Sequence, residues 1–560
     1  MVTIDRNKIY IFLLFLSIVS GLLLRTPKNT ITKHNTLKTD YVKVTITWAS
    51  PNNAPTFSAG PAESPASAAA TPTNVGSDVN FYATGTDPDG DNYYLAVCKT
   101  SVIATSSNAA PTCSGGKWCV SGSTVSGAQA TCATTTAAAM SESNNWYAFV
   151  CDHNANSLCS SVSSGSGDSG SPFEVNHVPS FSVASNDGPK APGTSITFSS
   201  TASDPDSTYS DTVKLVVCKT QGVSGAACDG GDSDTWCTST LSASNPSCSF
   251  NVPAPAAHGN TSSYVYVFDN HDLAASGGVQ NTQVLFEVSN AAPVNSSLSV
   301  NSGATINLST GGEGPTGNKD ISSTVIVTDN NGCDDVVSVV GKMYPSGLGA
   351  ASCTSQNNNN CYYNISCTGG SCSSGINKTY TCTANFKYHA DPTDESTPRA
   401  GESWMLTVVS SDEALSDTDE SVSGVALQSY SALDASSTIP YGVLGIGEIA
   451  NTTALSTTTV ISATGNTGLD VRLSGTDMTG GGTIGVAQQK YATSSVQYQN
   501  AISLSAAPAE LELNLKKTTT TNSLSSKSIY WGLQIPTDSP AASYSGTNTF
   551  EAVKAEAADW

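Results

Sequence analysis

Sixteen cysteines divide six, four and six along the chain. The first group is Cys98, Cys113, Cys119, Cys132, Cys151 and Cys159. The second is Cys218, Cys228, Cys237 and Cys248. The third is Cys333, Cys353, Cys361, Cys367, Cys372 and Cys382. Each group is even and lies in one stretch of strand-like sequence. Each stretch can therefore close its own disulfides without a leftover thiol. Such bonds persist only outside reducing compartments, so the chain is expected to work outside the cytosol.

The first two groups are copies of one another. ATGTDPDGDNYYLAVCKT, GGKWC, ATC and NNWYAFVCDHN are answered by STASDPDSTYSDTVKLVVCKT, SDTWC, PSC and SSYVYVFDNHD. Cys98 matches Cys218, Cys113 matches Cys228, Cys119 matches Cys237 and Cys132 matches Cys248. Cys151 faces Phe268, and Cys159 faces nothing. A bridge is gained or lost as a pair, which predicts Cys151–Cys159. Closing that short loop is worth about 2–3 kcal/mol in the chain-entropy model. For the other four, spacing leaves three connectivities open. Zinc is disfavoured, because no pair has Cys-x-x-Cys spacing and no His recurs at ligand distance.

Charged residues make up only 12% of the chain, and the net charge is −22. Phosphate binding needs a clustered positive field, so nucleic acid is excluded as a partner. Adsorption to anionic lipid is disfavoured for the same reason. The N-terminus explains export. Arg6 and Lys8 precede an apolar run over residues 9–24, so residues 1–24 are expected to be a signal peptide or an N-terminal membrane anchor. Any membrane attachment is expected through that segment alone. No Cys follows the run to carry a lipid, and the chain ends in AVKAEAADW without an apolar tail.

Residues 25–52 are read as a linker with a strand over 42–48. A joint then recurs as Asn53-Ala54-Pro55, Asn176-His177-Val178-Pro179 and Asn290-Ala291-Ala292-Pro293. Proline removes a donor and favours extended backbone before it, which suits a module boundary. The expected modules are residues 53–175, 176–289, 290–432 and 433–560. Strand signals dominate, at 195–200, 213–217, 264–268, 284–288, 324–328 and 404–409, each bounded by Gly, Asp, Asn or Ser. The fold class is therefore all-β, a tandem series of β-sandwiches with intradomain disulfides. The fourth module has no cysteine. Its strands read TTTVISATG, LDVRLSGTDM, ELELNLKK and IYWGLQIP.

TDPDGD at 86–91, SDPD at 203–206 and the Asn–Pro joints resemble tandem immunoglobulin-like domains of the cadherin-like, PKD-like surface type. The VCKT segment with a downstream Trp-Cys is similar to surface proteins of small-genome environmental bacteria and archaea. NTGLDVRLSGTDM (466–478) and IPTDSPAASYSGTNTF (535–550) resemble C-terminal sandwich modules of such proteins. Those usually read Gly-x-Tyr-x-Gly, where this chain has Ala542-Ser543-Tyr544-Ser545-Gly546.

Asp87, Asp89 and Asp91 offer carboxylates at alternating positions around a Gly turn, and Asp204 and Asp206 repeat the pattern with Asp211 beyond. Hard cations take six to eight oxygens, so calcium is the candidate cofactor. Asp152, Asp269, Asn270 and Asp272 follow a later strand and can reach the same end, as can Asn176 and Asn290. The alternative is an acidic turn favoured for backbone reasons alone. Sequons at Asn260, Asn295, Asn307, Asn364, Asn377 and Asn451 are candidate glycosylation sites. Catalytic motifs are missing, and His153 and His271 read as solvated turn residues. Tyr93, Tyr94, Tyr362 and Tyr363 can stack on sugars or pack in cores.

The expected function is a non-enzymatic, exported cell-surface protein, a disulfide-stapled stalk for structure or adhesion. Its partners would be other envelope proteins, further copies of itself, or glycans. One alternative is a carbohydrate-binding array, with an aromatic platform on one sheet face. Another is a secreted hydrolase, with a deep polar pocket in the third module.

Overall fold

The computed structural model describes residues 50–450 and 453–560. The leader at 1–24, the 42–48 strand, most of the linker and the Asn451 sequon lie outside the described residues. Among these residues helix is confined to short 3-10 turns, and none is long and apolar enough to cross a membrane.

In the first module, Asp78–Thr86 lies between Thr56–Ser64 and Gln129–Thr135. It alternates, burying Val79, Phe81 and Ala83 and turning its other side chains outward. The facing sheet sets Tyr93–Cys98 between Tyr147–Asp152 and Lys117–Val120. Tyr93–Cys98 does not alternate, because both its faces are covered. Its inner face joins the core around Trp146. Its outer face carries Ala96 and Cys98 against Cys113, Phe149 and Cys151.

The second module repeats this plan. Ser195–Ser203 lies between Ser180–Asn186 and Ser247–Asn251, and Val213–Cys218 between Tyr264–Asp269 and Thr235–Thr238. Phe268 packs with Val216, Cys218, Cys228 and Tyr266, filling with a ring the place the first module closes with Cys151–Cys159. The repeated VCKT and Trp-Cys strings also acquire a reason. Lys99 lies 4.2 Å over the Trp118 ring and Lys219 5.0 Å over Trp236.

The bridges are Cys98–Cys113, Cys119–Cys132, Cys151–Cys159, Cys218–Cys228, Cys237–Cys248, Cys333–Cys372, Cys353–Cys361 and Cys367–Cys382. Cys119–Cys132 and Cys237–Cys248 tie one sheet to the other. Cys98–Cys113 and Cys218–Cys228 hold a small hairpin over the outer face.

The single strand expected at 284–288 is two pieces. Thr282–Gln283 pairs with Tyr264–Asp269, and Phe286–Val288 pairs with Gly259–Thr261. The chain changes sheets between them, where Leu285 stands exposed and its carbonyl accepts Asn186 Nδ2 at 2.9 Å.

The third module departs from two separate sheets. Its seven strands form one continuous sheet, in which the 12-residue Tyr362–Ser373 pairs with both Asn377–Lys387 and Ser338–Pro345. The ends meet: Asn295, in Val294–Ser299, donates from Nδ2 to Asp417 O at 3.1 Å. The sheet thereby wraps one core holding Ile321, Tyr362, Phe386, Trp404 and Leu406. Asn295 is buried and its amide committed, so that sequon is corrected: it offers no free acceptor for a glycan. Asn260, Asn307 and Asn364 are exposed and Asn377 is half-buried.

The fourth module packs Leu433–Ala435, Thr457–Ala463, Ser526–Leu533, Gln489–Ala492 and Ile502–Ser503 against Ala509–Leu515, Leu469–Gly475 and Asn548–Lys554. Leu511, Leu513 and Leu515 enter a core around Trp531, while Glu510 and Glu512 face water.

Candidate cation sites at the module joints

At each of the first three modules a joint asparagine, the turn after the second strand and the turn after a later strand converge. The first joint residue is Asn52, one position ahead of the expected Asn53. Asn53 N donates to Asp89 Oδ2 at 2.6 Å, as His177 N does to Asp206 Oδ2 and Ala291 N to Asn331 Oδ1, each at 2.6 Å. Asn52, Asn176 and Asn290 are therefore equivalent.

The turns share one hydrogen-bonding scheme. Asp89 N donates to Asp87 Oδ1, Asp206 N to Asp204 Oδ1 and Asn331 N to Asp329 Oδ1, all at 2.8 Å. Gly90 takes φ = +80°, a conformation a Cβ would resist. In each turn the second carboxylate oxygen, Oδ2 of Asp87, Asp204 or Asp329, is buried and accepts nothing.

An aspartate from a later turn completes each group. Asp152 Oδ1 accepts Leu158 N, Asp269 Oδ1 accepts His271 N and Leu273 N, and Asp412 Oδ1 accepts Ala414 N and Leu415 N. Asn52 Nδ2 donates to Asp152 Oδ2 at 2.6 Å and Asn176 Nδ2 to Asp269 Oδ2 at 2.9 Å. The oxygens left over, Oδ1 of Asn52, Asn176 and Asn290, are buried without a partner.

Two trios draw closer still. Asp204, Asp206 and Asp211 bring oxygens within 4.8 Å of one another, and so do Asp329, Asp335 and Asp412. Burial pushes the Asp204 carboxyl up to about 7, and the charges of Asp206, Asp269 and Asp211 add to the shift. Burial raises Asp87, Asp269 and Asp329 as well. Among the described residues no lysine or arginine pairs with these acids. Buried carboxylates facing one another without a cation are costly, and unpartnered hard oxygens are what a calcium ion takes as ligands. The residues fit the ion.

Several expectations need correction. Asp89 stands exposed, and its carboxylate caps Asn53 rather than facing the Asp87 orphan oxygen. Asp91 Oδ2 accepts Asn154 Nδ2 at 2.6 Å. Asp206 keeps its place beside Asp204 and Asp211, and its oxygens also meet His177 N and Nδ1. Asn290 serves the third module, not the second. Asn270 caps Thr212, and Asp272 pairs outward with Lys214 at 2.9 Å. His153 and His271 are not free in solvent: His153 contacts Ser123 and Asn108, and His271 lies 3.5 Å from Asp211. Tyr93 and Tyr362 are core residues, Tyr94 packs its ring against His153, and Tyr363 is exposed. The third-module acids and the equivalence of Asp152, Asp269 and Asp412 were missed as one set. The recurring strand-then-Asp pattern was the signal that could have found it.

No family model and no curated protein matches the chain. Among solved structures it is similar to the mouse nectin-like molecule 4 full ectodomain (Ig1–Ig3), at 10% identity and TM-score 0.28, over 63% of this chain and 96% of that one. The ICAM-5 D1–D4 ectodomain fragment is 10% identical, with TM-score 0.20, over 88% and 98%. A marsupial T cell receptor is 7% identical, with TM-score 0.23, over 63% and 98%. Likeness at this level carries no argument about activity or partners. The sheets and bridges themselves define the class: an all-β chain of tandem immunoglobulin-like sandwiches whose disulfides close within modules.

Proposed function

We propose that the chain is an exported, non-enzymatic cell-surface protein, a stalk for structure or adhesion whose first two joints are held by calcium. The observation that carries the calcium reading is the recurrence of buried, unpartnered oxygens at Asp87 and Asn52 and again at Asp204 and Asn176. Asp152, Asp269, Asp206 and Asp211 would complete the ligand sets. Bound there, the ion would supply positive charge to carboxylates that otherwise repel, and would tie the joint asparagine to its own module. Eight disulfides favour a place outside the reducing cytosol. Partners would be envelope proteins or further copies, met along the exposed flanks, and the exposed sequons Asn260, Asn307 and Asn364 would carry any glycans.

The rival readings have less behind them. Two of the four tyrosines offered for sugar stacking are core residues. A third-module cleft of about 460 Å³ is lined by Gln356, Asn358, Tyr362, Asn385 and Lys387, without a carboxyl or imidazole. In the cleft of about 500 Å³ at the junction with the fourth module, Asp391 and Glu402 are already ion-paired with Arg399 and Lys517. The test is calorimetric unfolding of the full chain with calcium and with chelator. Calcium is expected to raise the melting temperature in a concentration-dependent way, and Asp204→Asn to abolish part of that rise. Superimposable melting curves would sink the calcium reading.

A further inference from the structure

We propose that the third module holds a divalent hard cation between Asp329, Asp335 and Asp412, beside Asn290, and that the Cys333–Cys372 disulfide governs this ion. The inference rests on the joint-cation reading above and goes beyond it in two ways. It adds a third site, and it makes that site redox-sensitive.

The site stands on more than an acidic cluster. Asp329 and Asp412 are 0% and 5% exposed, and each carries a buried Oδ2 that accepts no hydrogen bond. Asp335 Oδ2 is likewise buried and unpartnered, and its other oxygen lies 3.4 Å from His258 Nδ1 of the second module. The turn sequence differs from the first two modules, Asp-Asn-Asn-Gly-Cys-Asp-Asp in place of Asp-Pro-Asp, yet the same bonds recur. Within one chain, divergent turns have kept the same two orphan oxygens, the turn aspartate Oδ2 and the joint asparagine Oδ1, and the third module adds those of Asp335 and Asp412.

The disulfide is placed to control the site. Cys333 lies inside the ligand loop, four residues after Asp329 and two before Asp335. Its bridge pins that loop to the hairpin formed by Tyr362–Ser373 and Asn377–Lys387, where Asp329 N and Cys333 N also bond to Ile376 O and Gly375 O. The corresponding loops of the first two modules contain no cysteine. The bridge spans 39 residues, whereas the other seven span 8 to 15, so opening it frees far more chain. It is also the reachable one. Cys372 is the single exposed half-cystine of the sixteen, and the bridge lines a cavity of about 510 Å³ between the second and third modules. A dithiol reductant would attack Cys372 Sγ and release Cys333 as the thiolate. Its second thiol would then resolve the mixed disulfide, leaving two protein thiols and an oxidised reductant. The freed loop would no longer hold Asp335 against Asp329 and Asp412, and the ion would leave.

The experiment is calcium titration of the full chain by isothermal calorimetry. The intact protein is expected to bind three ions and the Asp329→Asn/Asp412→Asn variant two. Limiting dithiol, with alkylation mapped by mass spectrometry, is expected to open Cys333–Cys372 first. The same sample should show at least a tenfold loss of affinity at one site, with tryptophan fluorescence reporting that the chain remains folded. Cys333→Ser/Cys372→Ser should reproduce that loss and Cys353→Ser/Cys361→Ser should not. Two ions in both the intact protein and the Asp329/Asp412 variant would overturn the third site while leaving the joint reading intact. Binding nowhere would bring down both. Three ions bound with unchanged affinity after selective reduction would overturn the redox control.

Discussion

The entries to the first three modules and the junction with the fourth present the same difficulty, acids crowded together at a module's end, and resolve it in opposite ways. At the joints Asp87, Asp204 and Asp329 turn a buried oxygen toward no partner. At the junction the protein supplies the cations itself. Lys517 Nζ lies 3.0 Å from Asp391, 2.9 Å from Asn359 Oδ1 and 2.7 Å from His389 O. Arg399 holds the other Asp391 oxygen at 2.9 Å and Glu402 at 3.1 Å. Burial, then the nearby Lys517 charge, push His389 down to about 4, so it stays neutral beside the ammonium. A cation built into the chain is permanent, whereas a ligand set without one makes rigidity conditional on the medium. On the calcium reading proposed above, the chain would combine joints set by an ion from the medium with one junction that is not.

The largest expected effect breaks the permanent side. Lys517→Met removes an ammonium that is 9% exposed and strands Asp391 and Asn359 at the interface. Breaking a buried pair from one side costs about 3–5 kcal/mol. Calorimetry should show that loss equally with calcium and with chelator. A loss under about 1 kcal/mol, or one that calcium reverses, would erase the contrast between the two kinds of contact.

Next comes pH, which acts on the joints. Asp204 has a folded pKa of about 7, above the unfolded carboxylate value near 3.8, because burial disfavours its charge. Between those values the folded state holds a proton that the unfolded state has lost. The chelated protein should therefore lose stability as pH rises from about 4 to about 7, with little further change above. Saturating calcium replaces that proton, so the decline should flatten. A chelated melting temperature constant across pH 5 to 7 would contradict the buried, cation-free carboxyl.

How much of this was legible in the sequence follows from the range of each signal. The cysteine groups and the copied VCKT and Trp-Cys strings are local, so the sandwich class, the Cys151–Cys159 pair and the turns at Asp87 and Asp204 could be read directly. The 98–113 and 119–132 pairings depend on which strands lie in which sheet, and spacing does not encode that. Asp412 was hidden for a similar reason. It lies 83 positions after Asp329, and only pairing of Trp404–Ser411 within the sheet brings it back. Asn52 was passed over because Asn53 beside it fits the same pattern. Lys517 follows a strand in the cysteine-free module, and nothing local marks it as the cation for acids of the preceding one.

A control inside the first module sharpens the reading of Asp204. Glu63 is 1% exposed, and burial pushes it up to about 7. Its Oε1 accepts Ser67 N and Oγ, while its Oε2 is unpartnered. Unlike Asp204, it belongs to no joint set. Its raised pKa again means stability lost as pH climbs from the ordinary glutamate range toward 7, but calcium should not flatten this part. Glu63→Gln should remove it, by about 3 kcal/mol at pH 8 as an order of magnitude. A calcium-loaded protein already flat with pH would assign the whole dependence to the joints.

The smallest effect tests whether burial, rather than charge alone, makes the fourth-module junction permanent. Lys554 sits at the rim of the same junction as Lys517 and crosses to the same preceding module. It is 24% exposed, lies 3.9 Å from Asp394 Oδ1 and donates to Glu395 O. Its ammonium also lies 5.9 Å from the Trp560 ring. Water competes for each of these contacts and salt screens them, so Lys554→Ala should cost about 0.5 kcal/mol, against several for Lys517→Met. The two lysines share sign, partner type and location and differ mainly in exposure. If both substitutions cost the same, the junction is held by charge count, and the conditional joints would differ from it only in the source of their cation. If they differ about six- to tenfold, exclusion of water fixes the junction, and the buried oxygens at the joints are where a cation from the medium would have the greatest effect.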